Sequence, residues 1–368
     1  MQVRIAQPYH DKEIEDSVLS VLRSGRLVSG PIVESFEESV AEYLNAKNAV
    51  AVNSGTAALH LSLLSLDVRR GQEVITTPFS FAASANAIVQ SGGTPVFVDI
   101  DPETFNIDPR QIEKAVTSKS VAIEPVHVFG QAAEMKHICE IAQRYNLRLV
   151  EDAAEAIGAE YHGTKVGNTG EFACFSTYAT KNLHTGEGGF IATNDDEAAA
   201  SLRILRNQGQ KSKYLHVKLG YNYRMTEIAA AIGEAQIKKL DNLIQGRIEN
   251  ADRLTSKIRD LPALTPQRVL QNVKHVYYQY TVVLNEEEAG MTREELQRSL
   301  AAAGVETDVH WPIPIHLQPW YRETFGYRPG MFPHAERLAR TVISLPIHPA
   351  LTEEQIDYVS ENLHIALR

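Results

Sequence analysis

Residues 49–66 read AVAVNSGTAALHLSLLSL, and this stretch decides the fold class. A short apolar run, AVAV, is followed by a polar turn and then by a longer segment whose apolar residues are spaced as in a helix. Strands of parallel sheets are continuously apolar because helices cover both of their faces. The stretch therefore predicts a β-strand, a tight turn and an α-helix, which together form the first half of a βαβ unit.

The same alternation of short apolar runs and helical patterns continues along the chain. Further apolar runs are EVIT (73–76), PVFVDI (95–100), VAIEPVHVF (121–129) and LRLVED (147–152). Helical patterns separate them, for example at 133–146. This order predicts an α/β fold with a mostly parallel sheet flanked by helices. Two later strands, at 171–176 and 188–193, have only a short connection, which leaves a different pairing open.

Both ends of the chain depart from this alternation. Residues 11–45 predict two helices joined by a glycine-containing turn, and residues 225–260 predict one long Ala-rich helical segment. The region after it predicts strands and helices at 275–284, 292–304, 305–311, near 334–341 and at 352–366. We therefore expect a large domain over residues 1–250 and a smaller C-terminal α+β domain over residues 251–368.

Composition excludes several classes of protein. No apolar run approaches the roughly 18 residues that a membrane-spanning helix needs, and the N-terminal segment lacks the apolar stretch of a signal peptide. We therefore expect a cytoplasmic protein that does not bind membranes. The net charge of -10 argues against a nucleic-acid binder. It still allows anionic small ligands, because backbone N–H groups can bind phosphate.

The turn Asn53-Ser54-Gly55-Thr56 is the first candidate for a ligand site. It lies between a predicted strand and a predicted helix, where backbone N–H groups and the helix dipole favour an anion. Ligands of α/β sheets bind outside the carboxyl ends of the strands, where this turn lies. The alternative is an ordinary capped helix start. The turn matches neither the dinucleotide-binding fingerprint nor a Walker loop.

Two acidic residues, Asp152 and Glu155, follow the predicted strand at 147–152 and face the same edge of the sheet. Pyridoxal phosphate needs an anionic partner for its ring nitrogen so that the ring can accept electrons. Asp152 is suited to that role. The alternative is an N-capping aspartate followed by an acidic first turn of helix.

Lys181 lies in a polar, glycine-rich turn between two apolar strands, FSTYATKNLHTGEGG (175–189). A nucleophilic lysine must be held near the cofactor aldehyde and must have its pKa lowered enough to supply free amine. Most lysines are solvated surface groups, and Lys181 differs from them through its neighbours. A phosphate turn, a strand-end aspartate and a turn lysine, in that order, are what a fold-type-I pyridoxal enzyme requires.

Several motifs resemble one family along essentially the whole chain. They are GPIVESFEESVAEYL (30–44), NSGTAALHLSL (53–63), TTPFSFAASANAI (76–88), EDAAEAIGA (151–159), FSTYATKNLHTGEGG (175–189), LGYNYRMTEIAAAIGEAQIKKLD (219–241) and HWPIPIHLQPWY (310–321). With these motifs the chain resembles the DegT/StrS-type nucleotide-sugar aminotransferases. The resemblance implies PLP fold type I, pyridoxal 5'-phosphate as cofactor, and a homodimer with shared active sites.

The resemblance also implies roles for individual residues. Lys181 matches the lysine that forms the Schiff base with the cofactor, and it would be the catalytic residue. The matching cofactor contacts are Asp152 at the ring nitrogen, Glu155 at the ring hydroxyl, Phe81 on the ring face, Gly55, Thr56 and Ser176 at the phosphate, and Asn222 at the phosphate of the neighbouring subunit.

Two histidines are candidates for substrate contacts. His310 begins the proline-rich loop HWPIPIH (310–316), which the resemblance places near the sugar pocket, and the alternative is a packed loop between domains. His184 and His127 lie near the cofactor by position. We expect no metal site, because the prolines hold the loop extended and no carboxylate or cysteine lies between His310 and His316.

The resemblance implies transfer of an amino group, with glutamate as donor, to a keto group of a nucleotide-linked deoxy-hexose. Two alternatives remain open. One is a sugar dehydratase of the same family, in which histidine replaces the lysine, and Lys181 argues against it. The other is a non-catalytic regulatory protein on the same scaffold. The sequence does not decide which sugar, nucleotide or ring carbon is used.

Overall fold

The computed structural model describes residues 1–367. The helices are α1 (Lys12–Ser24), α2 (Pro31–Leu44), α3 (Gly55–Ser65), α4 (Ala83–Gln90), α5 (Pro109–Ala115), α6 (Met135–Tyr145), α7 (Asp196–Arg206), α8 (Glu227–Ile237), α9 (Leu240–Lys257), α10 (Glu286–Ala289), α11 (Arg293–Ala302), α12 (Pro319–Phe325), α13 (Pro333–Thr341) and α14 (Glu353–Ala366). Short 3-10 helices occur at Val128–Gly130 and Ile315–Leu317.

The strands form one large sheet and three small ones. They are β1 (Asn48–Val52), β2 (Glu73–Thr76), β3 (Thr94–Phe97), β4 (Ser120–Ile123), β5 (Arg148–Asp152), β6 (Glu160–Tyr161), β7 (Thr164–Lys165), β8 (Phe172–Ser176), β9 (Gly189–Thr193), β10 (Gln210–Ser212), β11 (Leu215–His216), β12 (Leu264–Pro266), β13 (Val273–Lys274), β14 (Tyr280–Leu284) and β15 (Val342–Leu345).

The large sheet has seven strands in the order β1-β9-β8-β5-β4-β2-β3. Strands β3, β2, β4, β5 and β8 pair in parallel. Strand β9 is antiparallel to both of its neighbours, β8 and β1, so it alone runs against the others. The predicted α/β fold with a mostly parallel sheet is therefore confirmed. The short connection between β8 and β9 explains the reversal, because a parallel pair needs a longer crossover.

Helices cover both faces of this sheet, as the continuously apolar strands predict. Along β1, Ala49 and Ala51 pack in one core cluster, whereas Val50 and Val52 pack in another. The first cluster includes Phe36 of α2 and residues of α8, and the second includes residues of α3, α4 and α7. Successive side chains of a strand point to opposite faces, so both faces are buried.

Local capping explains where several of these helices begin. Ser54 accepts a hydrogen bond from Ala57 N–H at the start of α3, and Thr226 accepts one from Ala229 N–H at the start of α8. Thr352 forms a reciprocal capping box at the start of α14. Each cap satisfies a backbone donor that the helix itself leaves unpaired.

The C-terminal region has its own apolar core, built on the antiparallel sheet β12-β14-β15 and on helices α9, α11 and α14. Three details differ from the prediction. The segment 305–311 forms only isolated bridges, at Val305 and Asp308. The strand predicted at 275–284 is confined to β14, and the Ala-rich segment is broken between α8 and α9. The domain division at residue 250 stays a prediction, and α9 runs across it.

Candidate active site

The predicted site elements meet at the carboxyl edge of the large sheet. The turn after β1, the end of β5 and the loop between β8 and β9 all lie there. Because β9 runs backwards, its first residue, Gly189, starts at this edge. A Cβ on Gly189 would approach the backbone nitrogen of Gly55 to 2.8 Å, so the two turns are packed too closely for a side chain.

The turn before α3 retains free donors at the helix start. Ser54 caps the helix through Ala57 N–H at 3.1 Å, as the alternative interpretation required. Helix geometry still leaves the N–H groups of Gly55 and Thr56 without partners inside the helix. A Cβ on Gly55 would come within 2.9 Å of the Cβ of Ser176, so the Ser176 hydroxyl lies beside the same turn. These groups can bind an anion.

Asp152 is the last residue of β5, and 4% of it is exposed. Its carboxylate accepts hydrogen bonds from the Ser84 hydroxyl at 2.7 Å and from Ala154 N–H at 3.2 Å. Burial raises the pKa of Asp152, and the Ser84 hydrogen bond opposes that rise. Residues 153–159 form turns rather than a helix, so the interpretation of Asp152 as a helix cap is wrong.

Phe81 precedes α4, the helix that carries Ser84, and 62% of it is exposed. Its backbone carbonyl accepts a hydrogen bond from Ser84 N–H at 3.2 Å, which ties Phe81 to the residue that binds Asp152. The exposed ring of Phe81 is therefore open to contact with a ligand. An aromatic ring near a buried carboxylate is suited to stacking on a flat cationic ring.

The Lys181 side chain is 11% exposed and points toward two partners. Its Nζ lies 3.2 Å from Oε1 of Glu155 and 3.8 Å from the centroid of the Tyr278 ring. The other oxygen of Glu155 accepts a hydrogen bond from Phe129 N–H at 2.9 Å. The sequence did not point to Tyr278, because it lies almost a hundred residues away in a segment that we predicted as a strand.

The pKa of Lys181 is raised, contrary to the requirement for free amine. Burial by itself lowers this pKa, but Tyr278 and Glu155 more than offset the effect because both stabilise the ammonium form. In the cofactor-free chain Lys181 therefore rests as an ammonium ion.

The three histidines lie in different settings. His184 donates from Nε2 to the carbonyl oxygen of Tyr9 at 2.9 Å. This bond holds the N-terminal segment against the loop between β8 and β9 (residues 177–188), here called the lysine loop because it carries Lys181. Burial lowers the pKa of His184. His127 is fully buried and bound on both ring nitrogens, to Glu151 and to Ala133 N–H. Both ring nitrogens of His127 are therefore used inside the core, and neither is free to bind a ligand.

His310 has one ring nitrogen to spare. Its Nε2 lies 3.5 Å from Asp308, and its Nδ1 is buried without a hydrogen-bond partner. The following residue, Trp311, stacks on Phe129 with ring centroids 5.5 Å apart. Since Phe129 N–H binds Glu155, the loop that starts at His310 packs close to the lysine.

Asn222 lies beside the phosphate-type turn of its own chain. Its backbone carbonyl accepts a hydrogen bond from the Asn53 side chain at 3.4 Å, and the residue is exposed. It follows a surface segment in which large apolar side chains are open to solvent, including Tyr214 at 80% and Leu219 at 82%. Exposed apolar groups in such a cluster are typical of a binding surface.

Glu124, directly after β4, is a buried carboxyl that the sequence analysis did not single out. It is fully buried, and both of its carboxyl oxygens lack a hydrogen-bond partner. Burial raises the pKa of Glu124 well above its ordinary value, and nearby Asp152 raises it further. Its surroundings therefore favour the protonated form of the carboxyl.

The free energy of unfolding of Glu124→Gln, relative to that of wild type, is expected to increase as the pH rises from about 5 to about 7. The unfolded chain ionises this carboxyl above its ordinary pKa of about 4.3, whereas the folded chain keeps the proton. The wild type therefore loses about 1.4 kcal/mol per pH unit relative to Glu124→Gln. Urea unfolding of both proteins at several pH values measures the difference.

Glu151→Gln is the matched control, since Glu151 is equally buried on the next strand. Burial opposes ionisation of Glu151, but His127 and the N–H groups of Thr169 and Gly170 lower its pKa. Its charged form contributes stability above the unfolded pKa, so the amide should be less stable than wild type at neutral pH. A pH-independent free-energy difference for Glu124→Gln would contradict the assignment of a protonated carboxyl.

Comparison with known proteins identifies the family. A sequence model described as the DegT/DnrJ/EryC1/StrS aminotransferase family matches residues 8–364. The chain belongs to this family. The predicted resemblance is thereby confirmed, and the protein is an aminotransferase.

Similar members of the DegT/DnrJ/EryC1/StrS family align over nearly their full lengths. A pleiotropic regulatory protein of Geobacillus stearothermophilus is 44% identical, over 93% of this chain and 91% of its own. The GDP-perosamine synthase of Caulobacter vibrioides is 39% identical, over 97% of this chain and 96% of its own. The crystal structure of DesV from S. venezuelae, in complex with a ketimine intermediate, is 38% identical, with a TM-score of 0.92 over 97% of this chain and 95% of its own.

Aminotransferases of the DegT/DnrJ/EryC1/StrS family depend on pyridoxal phosphate, and the predicted fold type is confirmed by the structural neighbours. The residues present fit that cofactor. The free N–H groups beside Gly55 suit its phosphate, the buried Asp152 suits its ring nitrogen, and Phe81 has an open face for its ring. All three features are seen in the structure of this chain itself.

Within residues 1–367, no group of three or more His, Cys, Asp or Glu side chains is arranged to hold a metal ion. No helix in the same range combines the length and the apolar character needed to cross a membrane.

Proposed function

We propose that this aminotransferase binds pyridoxal 5'-phosphate through Lys181 and transfers an amino group from glutamate to a keto group of a nucleotide-linked deoxy-hexose. The observation that carries the proposal is the meeting of Lys181 and Glu155 at the same sheet edge as the buried Asp152. Lysine, carboxylate and anion-binding turn come from three separate parts of the chain, and their convergence has no evident structural purpose.

Bound pyridoxal phosphate would supply the electron sink that stabilises negative charge at the donor carbon. Asp152 would hold the ring nitrogen protonated through its negative charge, with Ser84 fixing the carboxylate in place. Gly55, Thr56 and Ser176 would bind the phosphate, and Glu155 would contact the ring hydroxyl. Lys181, once its nitrogen is free, would move the proton between donor carbon and cofactor as general base and acid.

The choice of substrate is supported by the relatives. The Caulobacter relative is named GDP-perosamine synthase, an enzyme named for a nucleotide sugar. In this chain, the loop that begins at His310 packs against Phe129 near Lys181, and Nδ1 of His310 is a buried ring nitrogen without a hydrogen-bond partner. His184 would contribute from the other side through the lysine loop. Ring carbon and nucleotide stay open.

A panel of 3-keto and 4-keto nucleotide sugars, each incubated with glutamate, tests this function. We expect formation of an amino sugar from at least one of them, with one 2-oxoglutarate released per amino group. No product with any keto-sugar, in a protein that binds pyridoxal phosphate, would reject the substrate class.

One observation supports the alternative of a non-catalytic regulatory protein: the Geobacillus relative, which is 44% identical, is named as a regulator. A purely regulatory protein on this scaffold would have no need of the paired Lys181 and Glu155. The dehydratase alternative requires histidine in place of Lys181. The same panel separates all three, because a dehydratase would release water and no amino sugar, and a regulator would turn over nothing.

The proposed assembly is a homodimer in which Asn222 of each subunit reaches the cofactor phosphate of the other. Support comes from the exposed apolar side chains around Asn222, among them Tyr214, Leu215 and Leu219. A twofold interface would make the exchange reciprocal. A cytoplasmic location completes the proposal, and it is supported by two cysteines that are both free thiols.

Mixing Asn222→Ala and Lys181→Ala proteins is expected to restore activity that each lacks alone. In a mixed dimer one site carries both substitutions and the other carries neither, so the ceiling is about half of the wild-type rate per heterodimer. The measurement is turnover before and after subunit exchange, with exchange verified by mass spectrometry of differently tagged subunits. If Asn222 served its own subunit, where its backbone already contacts Asn53, no mixed site would be intact and no activity would return.

A further inference from the structure

Tyr278 lies against the proposed catalytic lysine although it belongs to a distant segment. Its ring is directly below the Lys181 Nζ, at 3.8 Å from centroid to nitrogen, and 8% of the residue is exposed. Its hydroxyl lies 3.0 Å from the hydroxyl of Thr180, the neighbour of Lys181. The tyrosine is therefore fixed at both its ring face and its hydroxyl to the lysine loop.

The backbone around Tyr278 is held by hydrogen bonds to other parts of the chain rather than by a β-ladder. Asn182 donates to the carbonyl of Val276 at 3.1 Å, and Val276 N–H donates to the carbonyl of Gly130 at 3.0 Å. A Cβ on Gly130 would approach the backbone nitrogen of Tyr278 to 3.0 Å. The segment is thus pressed onto the 3-10 helix that also carries Phe129.

Arg247 of α9 completes this support from the other side. It is 4% exposed, and its guanidinium donates to the carbonyls of Tyr277 at 3.2 Å, Tyr278 at 3.5 Å and Ile347 at 3.0 Å. Burial lowers the pKa of Arg247 to about 10. A buried cation is costly unless its donors are used, and here its contacts join α9, the Tyr278 segment and the C-terminal region.

We propose that the face of Tyr278, together with Glu155, is the position that the Lys181 nitrogen takes when it is protonated and not bonded to the cofactor, and that Arg247 is the positioning residue that keeps Tyr278 there. The inference rests on the proposed role of Lys181. It assigns a catalytic contact to Tyr278, because the ring touches the nitrogen that would exchange protons with the substrate.

The physical reason is the burial of the lysine. A lysine that serves in turn as base and acid must be able to hold a proton inside a buried site, and burial alone would drive that proton off. Glu155 and Asp152 are the carboxyl groups that act on it, and the Tyr278 ring, with its centroid 3.8 Å away, presents the negative face that a cation favours.

The experiment measures the protonation of Lys181 in the full-length protein after removal of cofactor. Trace labelling with acetic anhydride over a range of pH, followed by peptide mass spectrometry, gives the apparent pKa of each lysine. In Tyr278→Leu we expect the pKa of Lys181 to fall by roughly one unit, because a desolvated cation–π contact is lost. Tyr278→Phe keeps the ring and should retain most of the wild-type value.

Lys165 is the matched internal control. Its Nζ lies 3.6 Å from the centroid of the Tyr43 ring rather than of Tyr278, and its labelling should be the same in all Tyr278 variants. Arg247→Met should lower the pKa of Lys181 as Tyr278→Leu does, and Arg247→Lys should restore part of it. If the arginine variants do not fold, the tyrosine pair still decides the question.

An unchanged Lys181 pKa in folded Tyr278→Leu would overturn the inference, as would an equal fall in Tyr278→Phe. Failure of the proposed function has a different signature. If borohydride reduction of the cofactor-loaded protein attached pyridoxal phosphate to a lysine other than Lys181, the role of Lys181 would be wrong whatever its pKa.

Discussion

Replacing Lys181 with alanine is expected to reduce amino transfer by more than about a hundredfold and to remove the visible absorbance of lysine-bound cofactor. The substitution removes both the group that bonds the cofactor and the group that moves the proton, and loss of a general base alone costs about a hundredfold or more. Turnover with glutamate and a keto-sugar, and the absorbance spectrum of the purified protein, measure the two effects.

Lys165→Ala is the matched control for Lys181→Ala. Both lysines lie against a tyrosine ring, but Lys165 packs on Tyr43 and donates to its carbonyl, outside the proposed site. Lys165→Ala should keep its turnover and its absorbance. Retention of more than about a hundredth of the wild-type rate by Lys181→Ala would refute the catalytic assignment.

Replacing Asp152 with asparagine is expected to lower turnover by roughly a hundredfold or more while the cofactor still binds. The amide keeps the shape and the Ser84 contact but removes the negative charge that would hold the ring nitrogen protonated. Loss of a single preorganised electrostatic partner in a buried site has effects of about this size. The rate of each half-reaction and the amount of bound cofactor measure the outcome.

Glu124→Gln is the matched control for Asp152→Asn. Both changes convert a buried carboxyl to an amide, and the two side chains are close enough to affect each other's ionisation. The carboxyl oxygens of Glu124 have no hydrogen-bond partner through which to act, and burial favours the neutral form of this carboxyl. Turnover of Glu124→Gln should therefore remain near that of wild type. A normal rate in Asp152→Asn would mean that the carboxylate serves only the local turn.

Much of the fold could be predicted from sequence because the decisive patterns are local. The continuous apolar run of β1 and the helical spacing of α3 both follow from burial on two faces. The antiparallel direction of β9 could not be predicted, because an apolar run carries no information about the direction of a strand in its sheet. The prediction of a strand at 305–311 is wrong, because only Val305 and Asp308 form backbone bridges with other segments. Which segments lie beside these residues depends on the rest of the fold.

The residues of the site also fall into those that the sequence predicts and those that it does not. The Ser54 turn, Asp152 and Lys181 could be found because each follows a strand at one sheet edge, a position that topology makes functional. Tyr278 and Glu124 could not be found from sequence. Tyr278 comes to Lys181 through long-range contacts of Arg247 and Gly130, and Glu124 is distinguished only by its lack of partners in the folded state.

The order of strands also sets the order in which the protein can assemble on the ribosome. Strand β1 is an edge strand whose one neighbour in the sheet is β9, with Asn48 opposite Thr193. At ordinary translation rates its apolar edge waits on the order of ten seconds for that partner. The lysine loop lies immediately before β9 in the chain, so the nascent sheet gains its last strand pairing only after Lys181 has been made. The large sheet therefore cannot close before the segment that carries Lys181 has been synthesised.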